Sequence, residues 1–536
     1  MIYISRFFFS FLNQIRKFYL NSNFYHRKIS KIDSKKIVYK PSPHLLSSLI
    51  KYQKKKFRIE DFSLNEIWSS KNLSIKDYRN LNSFYWFFSL DLKSSKLTTQ
   101  TVIANWINNN HKYNDKSWSF DITAKRIIAW LSCHNLSYDD ADQDYREYFN
   151  KTIKKQTNHL IYEINYSKLI DDKLIGCASI ILVGLCYQNK KYLDFGLNLL
   201  KKISKLTLDN YYFPKSRNIK QLIFYLKYLI LIKEWFKESQ TSVPAHIEEI
   251  IYHLGQGYAY LWQNIGYDLL FNGNNNSKNI EFDQYLTRLG YKFKNENFDY
   301  GGYVILKNKK LRFIMDVGST PNVDFTRDYQ SGTLSFEIIS NGQKLISNCG
   351  YFKNHKNELN KISKSSAAQS TLIIDDNSSC KFTNIGKNLL INKGLKILKK
   401  EITFEKDYWK IIASHDGYLN KYNSIHERKI EFFPKQMAFI GRDMIIKKKT
   451  NHNYKFDIRF HVEPNVKLMK TQDKKTILIE LQNEGWKFTC ENYEINIDNG
   501  LYFGNKNSYT ENQNIFISGI SNNQIEKIRW EIKKIL

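Results

Sequence analysis

The spacing of apolar residues changes along the chain, and this change constrains the fold more than any other feature of the sequence. From about residue 60 to 270, apolar residues recur at helical spacing. The run IGCASIILVGLCY at 175–187 is apolar on every face, which is typical of a helix buried on most sides. From about residue 299 the period becomes two. Because helices come first and antiparallel strands follow, we expect an α+β chain with two separate domains.

Turn signals mark the passage between the two blocks and the hairpins of the second one. The stretch LFNGNNNSKN at 270–279 is rich in Gly, Asn and Ser, and it predicts a linker or exposed loop. Asn341-Gly342, between two short apolar runs, predicts a two-residue β-hairpin turn. Asp498-Asn499-Gly500 gives a second signal of the same kind.

The chain is strongly basic, with a formal net charge of +30 from 82 Lys and Arg against 52 Asp and Glu. Such a charge attracts polyanions. Lys, Asn, Ile and Tyr are abundant together, however, so the drift of an AT-rich genome explains the excess equally well. The lysines form only short runs such as Lys54–Lys56 and Lys447–Lys449, without a nucleic-acid-binding module. We therefore do not expect nucleic acid as a partner.

The six cysteines and the N-terminus exclude further classes of protein. No CxxC pair and no Cys/His cluster occurs, which excludes zinc-finger and thioredoxin-like motifs. The first twenty residues, MIYISRFFFSFLNQIRKFYL, are interrupted by Arg6 and lack a small-residue cleavage site. They form a poor signal peptide and are too short for a transmembrane segment. Residues 1–20 either pack against the protein or make a peripheral membrane contact.

Several strings of the second block resemble a known family. RDYQSGTLSFEIISNGQKLISNCG at 327–350, followed by SAAQSTLIIDD at 366–376, is similar to the C-terminal domain of heparinase II/III-like polysaccharide lyases. FIMDVG at 313–318, SHDGY at 414–418 and RFHVEP at 459–464 agree with it in the same order. The resemblance implies an N-terminal incomplete (α/α) toroid, a C-terminal antiparallel β-sandwich and a cleft for an acidic polysaccharide. It gives these domains: a partly helical extension at 1–58, the toroid at 59–275, a linker at 276–298 and the β-sandwich at 299–536.

The resemblance also implies a reaction. Such lyases break a 4-O-glycosidic bond beside a uronic acid: a base removes the C5 proton, while a positive or hydrogen-donating group neutralises the adjacent carboxylate. The candidate catalytic residues are Tyr212, Asp328 at the position of the family's first His, and His415 in SHDGY. Each also has a plain structural explanation, such as orienting a turn or strand. Arg126, Arg217 and Arg327 are the candidates for binding substrate carboxylates.

The family's metal site falls on residues that should not hold a metal. There, a zinc is held by His, Asp and His, and the corresponding positions are Gln330, Asn348 and Gln369. Neutral amides are poor zinc ligands, so we expect no metal and no other cofactor. We expect the three amides to bond to each other where the ion would be; the alternative is three unrelated surface amides.

Two hypotheses for function remain open. The first is a polysaccharide lyase that acts on uronic-acid-containing acidic polysaccharides by β-elimination, independently of metal. The second is a catalytically inactive, lyase-like protein that binds anionic polysaccharide, which Asp171-Asp172 near the family's carboxylate-neutralising position would favour, since carboxylates repel a uronate. The resemblance suggests the cell envelope or periplasm; the poor signal peptide favours the cytoplasm.

Overall fold

The computed structural model describes most of the chain as two compact units. It describes residues 2–47, 73–91, 93–276, 280–355, 357–385, 388–448, 452–505 and 508–535, with the side chains of 2–11 and 47 excepted. The predicted domain boundary at 58–59 and the run Lys54–Lys56 lie outside these residues. We call the first unit, Met1–Thr207 with Phe224–Tyr252 and Asn279–Lys292, the helical unit. The sheet unit comprises Leu208–Ile223, His253–Lys278 and Phe293–Leu536.

Helices dominate the first part of the described chain. They are α1 (Ile2–Asn21), α2 (Asn23–Ile29), α3 (Pro43–Ser47), α4 (Ile75–Ser83), α5 (Lys96–Asn109), α6 (Phe120–Ser132), α7 (His134–Ser137), α8 (Gln143–Glu163), α9 (Ile170–Cys186), α10 (Lys190–Thr207), α11 (Ile219–Glu238), α12 (Ala245–Tyr258) and α13 (Ile280–Arg288). Two short helices follow within the strand region, α14 (Glu358–Lys364) and α15 (Leu419–Tyr422). Within the described residues, every helix is too short or too polar to span a membrane.

Apolar patterning accounts for the burial of these helices. In α9, every residue from Leu174 to Cys186 is buried, as its apolar character on all faces predicts. In α12, which starts directly after Pro244, Ile247, Ile251 and Leu254 share one face and are almost fully buried. The prediction for residues 175–187 is therefore confirmed.

Antiparallel strands form the second part. They are β1 (Asp299–Tyr300), β2 (Tyr303–Lys307), β3 (Leu311–Asp316), β4 (Phe336–Ser340), β5 (Gln343–Ile346), β6 (Leu372–Ile374), β7 (Lys381–Ile385), β8 (Asn388–Lys393), β9 (Ile397–Phe404), β10 (Trp409–His415), β11 (Ser424–Phe433), β12 (Ala438–Lys447), β13 (Tyr454–His461), β14 (Lys467–Lys470), β15 (Thr476–Leu481), β16 (Glu484–Cys490), β17 (Ile495–Tyr502), β18 (Thr510–Ser521) and β19 (Ile525–Lys534). The sheet orders are β1-β2-β3-β4-β5, β14-β15-β16-β19-β12-β11-β10-β9, β17-β18-β13-β6 and β7-β8. A helical region followed by antiparallel sheets, the predicted fold class, is confirmed.

One of the two predicted hairpin turns is present and the other is not. Asn341 and Gly342 join β4 to β5 with φ of 42° and 80°, the left-handed conformations that a tight hairpin turn requires. The prediction of a turn at Asp498-Asn499-Gly500 is wrong, because these residues lie inside β17 and pair with β18. Gly500 instead allows the Asn512 side chain to approach, since a Cβ there would lie 2.7 Å from its Oδ1.

The prediction of an exposed loop is wrong for residues 269–275, which we call the buried loop. Its side chains Leu270, Asn272 and Asn275 are at most 4% exposed. Burial is tolerated because polar side chains satisfy the main chain, as buried backbone groups require. Glu337 Oε1 accepts the N–H of Leu270 at 3.2 Å, and Asn275 Nδ2 donates to two carbonyls of the sheet unit.

A charged network lies inside the apolar core of the sheet unit. Asp443 on β12 and Arg428 on β11 are both fully buried, and Arg428 donates to both carboxylate oxygens, with Nε–Oδ1 2.7 Å and Nη2–Oδ2 3.1 Å. Trp530 Nε1 donates to Asp443 Oδ2 at 2.9 Å. Arg428 Nη1 donates to the carbonyls of Leu334 and Ser370. These hydrogen bonds link β11 to the segments that precede β4 and β6. Removal of one partner from such a pair leaves an uncompensated buried charge.

Two histidines extend this network in a defined tautomeric order. Gly417 N–H donates to His415 Nδ1 at 3.1 Å, so the proton of His415 is on Nε2, which donates to His426 Nδ1 at 3.3 Å. His426 Nε2 then donates to Asp443 Oδ1 at 2.7 Å. Burial, followed by the charges of His426 and Arg428, lowers the pKa of His415 well below its usual value. Burial also lowers the pKa of His426, although Asp443 opposes the effect.

Because His415 and His426 are neutral in the folded chain, we expect acid to lower the free energy of unfolding. In the unfolded chain they take up protons as the pH falls below about 6.5, whereas the folded chain does not, so the unfolded state binds more protons. Stability is therefore complete above about pH 6.5 and decreases below it, by up to about 1.4 kcal/mol per pH unit for each histidine. Urea denaturation at a series of pH values measures this slope.

The contribution of His415 can be isolated with a paired variant. His415→Gln removes one titrating group, so we expect a slope that is lower by about one proton between pH 5 and 6. His452→Gln changes a histidine that is exposed in the same unit and should leave the slope unchanged. Equal slopes for wild type and His415→Gln would contradict the assignment.

Candidate active site

A cleft of about 930 Å³ opens in the sheet unit. Its wall combines aromatic rings, paired charges and glycines. The lining residues that bear on its chemistry are Asp209, Tyr211, Tyr212, Phe213, Lys215, Arg217, His253, Asp299, Tyr300, Gly302, Gly318, Phe325 and Lys400.

A tight loop between Leu208 and Pro214, which form an isolated β-bridge, builds one side of the cleft. Asp209 organises it: Oδ1 accepts the N–H groups of Tyr211 at 2.9 Å and Phe213 at 2.8 Å. Tyr212, at the tip, has a φ of 58°, a left-handed conformation that is unfavourable for a bulky residue and is often found at functional sites. The loop therefore presents Tyr212 at the cleft while Phe213 is buried below it.

Tyr212 stacks on His253 of α12. The ring centroids are 4.8 Å apart and the planes differ by 7°, so the two rings lie almost parallel. The candidate base predicted from the sequence thus has an imidazole neighbour within the cleft. His253 escaped the sequence analysis because it lies 41 positions further along the chain, in a helix whose apolar face gave no reason to select it.

Arg217 is anchored in the floor of the cleft by groups of its own unit. Nη2 donates to Asp316 Oδ1 at 2.7 Å and to the carbonyl of Gly302 at 2.8 Å, and the guanidinium lies 4.8 Å from the centroid of the Tyr303 ring. Burial alone would lower the pKa of Arg217, but the attraction of the Asp316 carboxylate outweighs it and raises the pKa. The residue is charged at every accessible pH.

Two glycines make room for this guanidinium. A Cβ at Gly318 would lie 2.1 Å from Arg217 Cζ, and one at Gly302 would lie 2.8 Å from its Nε. Gly302 also has a φ of 82°, which favours glycine. Arg217 Nη1 is buried and has no hydrogen-bond partner among the described residues. Because a guanidinium carries five N–H donors, Arg217 keeps one unsatisfied donor beneath the surface of the cleft.

The other candidate residues of the β-strand region lie apart from the residues that line the cleft. Asp328 Oδ1 accepts a hydrogen bond from Tyr351 OH at 2.9 Å and lies 3.7 Å from His355 Nε2. Arg327 Nη2 lies 3.4 Å from the same imidazole nitrogen. Nearby, burial lowers the pKa of the Lys364 ammonium to about 8. These residues form a second polar cluster that the structure does not join to Tyr212.

The remaining two candidates are buried inside their units. Arg126 is fully buried in the helical unit, where it donates to the carbonyls of Asn82 and Ser117 and lies 3.9 Å from the centroid of the Trp106 ring. Its environment is that of a core arginine. His415 is 1% exposed and belongs to the network of Asp443 described above. Neither residue lines the cleft.

The three residues at the family's metal positions are buried, but they do not bond to each other as expected. Gln330 Nε2 donates to the carbonyls of Gly350 at 2.9 Å and Ser363 at 2.6 Å, and Gln369 Nε2 shares the Ser363 carbonyl at 3.5 Å. Asn348 Oδ1 accepts the N–H of Ser370 at 2.9 Å. The partners of the three amides are thus main-chain groups, whereas Asn348 Nδ2 is buried without a hydrogen-bond partner among the described residues.

This donor set does not fit a zinc ion. The nitrogens of Gln330 and Gln369 point N–H donors at carbonyls, and an amide NH₂ cannot coordinate a cation. The side-chain oxygen of Gln330 already accepts the N–H of Gly273 at 3.0 Å. Among the described residues, no group of three or more His, Cys, Asp or Glu could hold a metal ion.

Comparison with known proteins finds a family model and solved structures that are similar to this chain. Residues 292–531 match the family model described as heparinase II/III-like, C-terminal. A heparinase III structure with methylated lysines has a TM-score of 0.69 at 11% identity, covering 91% of this chain and 82% of that one. A heparan sulfate lyase mutant from Pedobacter heparinus has a TM-score of 0.66 at 10% identity, covering 95% and 85%. Another heparinase III has a TM-score of 0.65 at 14% identity, covering 92% and 89%. At these identities the matches establish the fold. No curated protein sequence matches the chain.

The anchoring of Arg217 predicts a large loss of stability when it is removed. Arg217→Ala leaves the Asp316 carboxylate, which is 1% exposed, without its cation, so we expect the free energy of unfolding to fall by about 3–5 kcal/mol. Arg529→Ala serves as the control because Arg529 pairs with Glu491 on the surface, and we expect a loss of about 0.2–1 kcal/mol. Urea denaturation of both variants tests the difference; similar losses would show that Asp316 does not depend on Arg217.

Proposed function

We propose that this chain is a polysaccharide lyase, because residues 292–531 match the C-terminal domain model of the heparinase II/III-like family. In this proposal the cleft of the sheet unit binds an acidic polysaccharide and the protein cleaves it beside a uronic acid by β-elimination. The carrying observation is the presence of Tyr212, His253 and Arg217 in one cleft. The cleft supplies a proton-transferring side chain and a permanent cation, the two groups that this reaction needs.

Arg217 has the properties required to stabilise the developing charge. Removal of the C5 proton moves an electron pair towards the carboxylate, which must then carry additional negative charge. A preorganised donor is most effective because it does not need to reorient during the reaction. Arg217 is preorganised by Asp316 and by the Gly302 carbonyl, and its Nη1 has no hydrogen-bond partner among the described residues.

Tyr212 is the proposed base and acid. As a phenolate, its oxygen takes the C5 proton and the electron pair forms the double bond between C4 and C5. The C4–O bond breaks, and the phenol so formed passes the proton to the leaving oxygen, which regenerates the phenolate. The left-handed backbone at Tyr212 and its stacking on His253 restrict the ring to one orientation. Such restriction supports proton transfer, which depends on geometry before it depends on acidity.

The rest of the cleft suits sugar rings more than a dense array of anions. Tyr211, Tyr300 and Phe325 offer aromatic faces. The ammonium of Lys400 is already paired with the Asp299 carboxylate, and Arg217 is paired with Asp316. We therefore expect binding through stacking and a single carboxylate contact, so that uronate polymers with few sulfates are included among the substrates.

A second candidate function, binding without turnover, has its own support. Asp328 stands at the position where the resemblance places a family histidine, and it pairs with Tyr351 and His355 apart from the cleft, so it supplies no catalytic imidazole there. In the helical unit, burial and the neighbouring Asp121 and Asp171 raise the pKa of Asp172 to about 6, so this acidic group also differs from a carboxylate neutraliser. Both features are compatible with a protein that keeps the cleft and has lost the reaction.

An ultraviolet assay separates the two functions. Incubation with heparan sulfate, chondroitin, alginate and unsulfated bacterial exopolysaccharides should give the absorbance of the unsaturated uronate on at least one substrate. On that substrate, Tyr212→Phe should lower kcat by about 10²- to 10⁴-fold, because it removes the proton-transferring oxygen and keeps the ring. Tyr509→Phe, at an exposed tyrosine of the same unit, is the matched control.

The outcomes are distinct. Measurable binding without absorbance on any substrate would favour the binding protein. Turnover that is unaffected by Tyr212→Phe would leave the lyase activity standing and exclude Tyr212 as the base.

A further inference from the structure

Gln330 fixes the buried loop 269–275 from three directions. Its Oε1 accepts the N–H of Gly273 at 3.0 Å. Its Nε2 donates to the carbonyls of Gly350 at 2.9 Å and Ser363 at 2.6 Å. One side chain, 1% exposed, thus ties the loop to two other segments of the sheet unit. Gly273 has a φ of 86°, and a Cβ there would lie 2.6 Å from Asn218 Nδ2, so the loop passes through a narrow space.

The same loop reaches the floor of the cleft through Asn272. Its Oδ1 accepts the N–H of Gln330 at 3.5 Å. Its Nδ2 donates to Asp316 Oδ2 at 2.9 Å and to Tyr303 OH at 2.7 Å. Tyr303 OH in turn donates to the carbonyl of Arg217 at 2.7 Å. Asn272 is therefore connected to Arg217 at two points. It reaches the main chain of Arg217 through Tyr303 and the guanidinium through Asp316.

We propose that Gln330 is a positioning residue for Arg217. By fixing the buried loop at Gly273, it holds Asn272 in place, and Asn272 sets the orientation of Arg217 through Asp316, without a metal ion. The expected effect on binding rests on the proposed function, in which Arg217 contacts the substrate carboxylate. We call this connection, from Gln330 through Asn272 and Asp316 to Arg217, the brace, and it can be measured without any substrate.

Two variants of Gln330 separate positioning from general stability. Gln330→Met keeps the length of the side chain and loses all three hydrogen bonds, so both the loop and Arg217 are released. Gln330→Glu keeps an oxygen for the N–H of Gly273 and, as a buried carboxyl that faces two carbonyls, takes up a proton and keeps one donor for them. We expect both variants to be less stable than wild type, and only Gln330→Met to misplace Arg217.

Binding measurements read this difference. Isothermal titration with heparan sulfate, and with alginate as an unsulfated probe, should show Kd about 10-fold higher for Gln330→Met and within about threefold of wild type for Gln330→Glu, since about 1.4 kcal/mol corresponds to a factor of ten. The control Tyr493→Phe removes a side-chain hydrogen bond to Glu526 elsewhere in the unit and should leave Kd unchanged. Equal effects of Gln330→Met and Gln330→Glu would overturn the positioning role.

A second measurement needs no ligand. If Gln330 acts through Arg217, Gln330→Met and Arg217→Lys disturb one connected structure, so the double variant should lose clearly less stability in urea than the sum of the two single losses. Additive losses would overturn the proposal even if a polysaccharide binds. If neither probe binds to wild type, the proposed function fails, and the urea cycle alone decides on the brace.

The absence of a metal ion from the brace has its own test. Prolonged dialysis against a chelator should leave the thermal unfolding midpoint of the wild type unchanged, because hydrogen bonds and no ion hold the loop. A lower midpoint that is restored by a divalent cation would overturn the inference.

Discussion

The carboxylate of Asp316 is the interaction on which the cleft depends. It is fully buried, and its two oxygens take hydrogen bonds from Arg217, Asn272 and the N–H of Gly318. A buried carboxylate is tolerated only when it is paired and hydrogen-bonded. Satisfying this single charge therefore fixes a cation in the cleft, an amide in the buried loop and a turn after β3. Arg217 and Asn272 are far from Asp316 in the sequence, and their hydrogen bonds to this carboxylate bring the two side chains together.

A second buried pair supports the other end of the same loop. Glu337 and Lys344, on the hairpin strands β4 and β5, are within 3.0 Å and are almost fully buried. Glu337 Oε1 accepts the N–H of Leu270, and Lys344 Nζ donates to the carbonyl of Asp268. The hairpin thus does more than extend a sheet. Its charged residues point towards the loop and satisfy main-chain groups that solvent cannot reach.

The sequence predicts the scaffold better than the site, and the reason is physical. The burial of α9 and the hairpin at Asn341-Gly342 follow from local periodicity and turn chemistry, which a chain expresses within a few residues. The stacking of Tyr212 on His253 and the pairing of Arg217 with Asp316 join positions that are 41 and 99 residues apart. No local pattern encodes such distances, although the turn before Tyr212, opened by Asp209, is visible in the sequence.

The two wrong predictions about turns and loops began from one compositional signal. Both the stretch from Leu270 and the one from Asp498 are rich in Asn and Gly, a composition that usually indicates solvent-exposed turns. In both places the asparagines of the chain bond to main-chain groups, although Asp498 and Asn499 themselves are exposed within β17. Asn275 donates to the carbonyls of Tyr351 and Phe503, and Asn514 donates to that of Asp498. A side-chain amide can serve as donor and acceptor at once, so it can replace water at a buried loop.

The amides at the metal positions extend the same principle. A metal ion organises several segments with one centre of charge, and its strength depends on ligands that lose protons. Gln330 joins three segments with neutral hydrogen bonds whose strength does not depend on protonation or on the supply of an ion. Each bond is weaker, but all of them are buried, and breaking one leaves a main-chain group unsatisfied at a cost of about 1–3 kcal/mol. A buried amide side chain can therefore hold several segments together without an ion, provided that it finds main-chain partners.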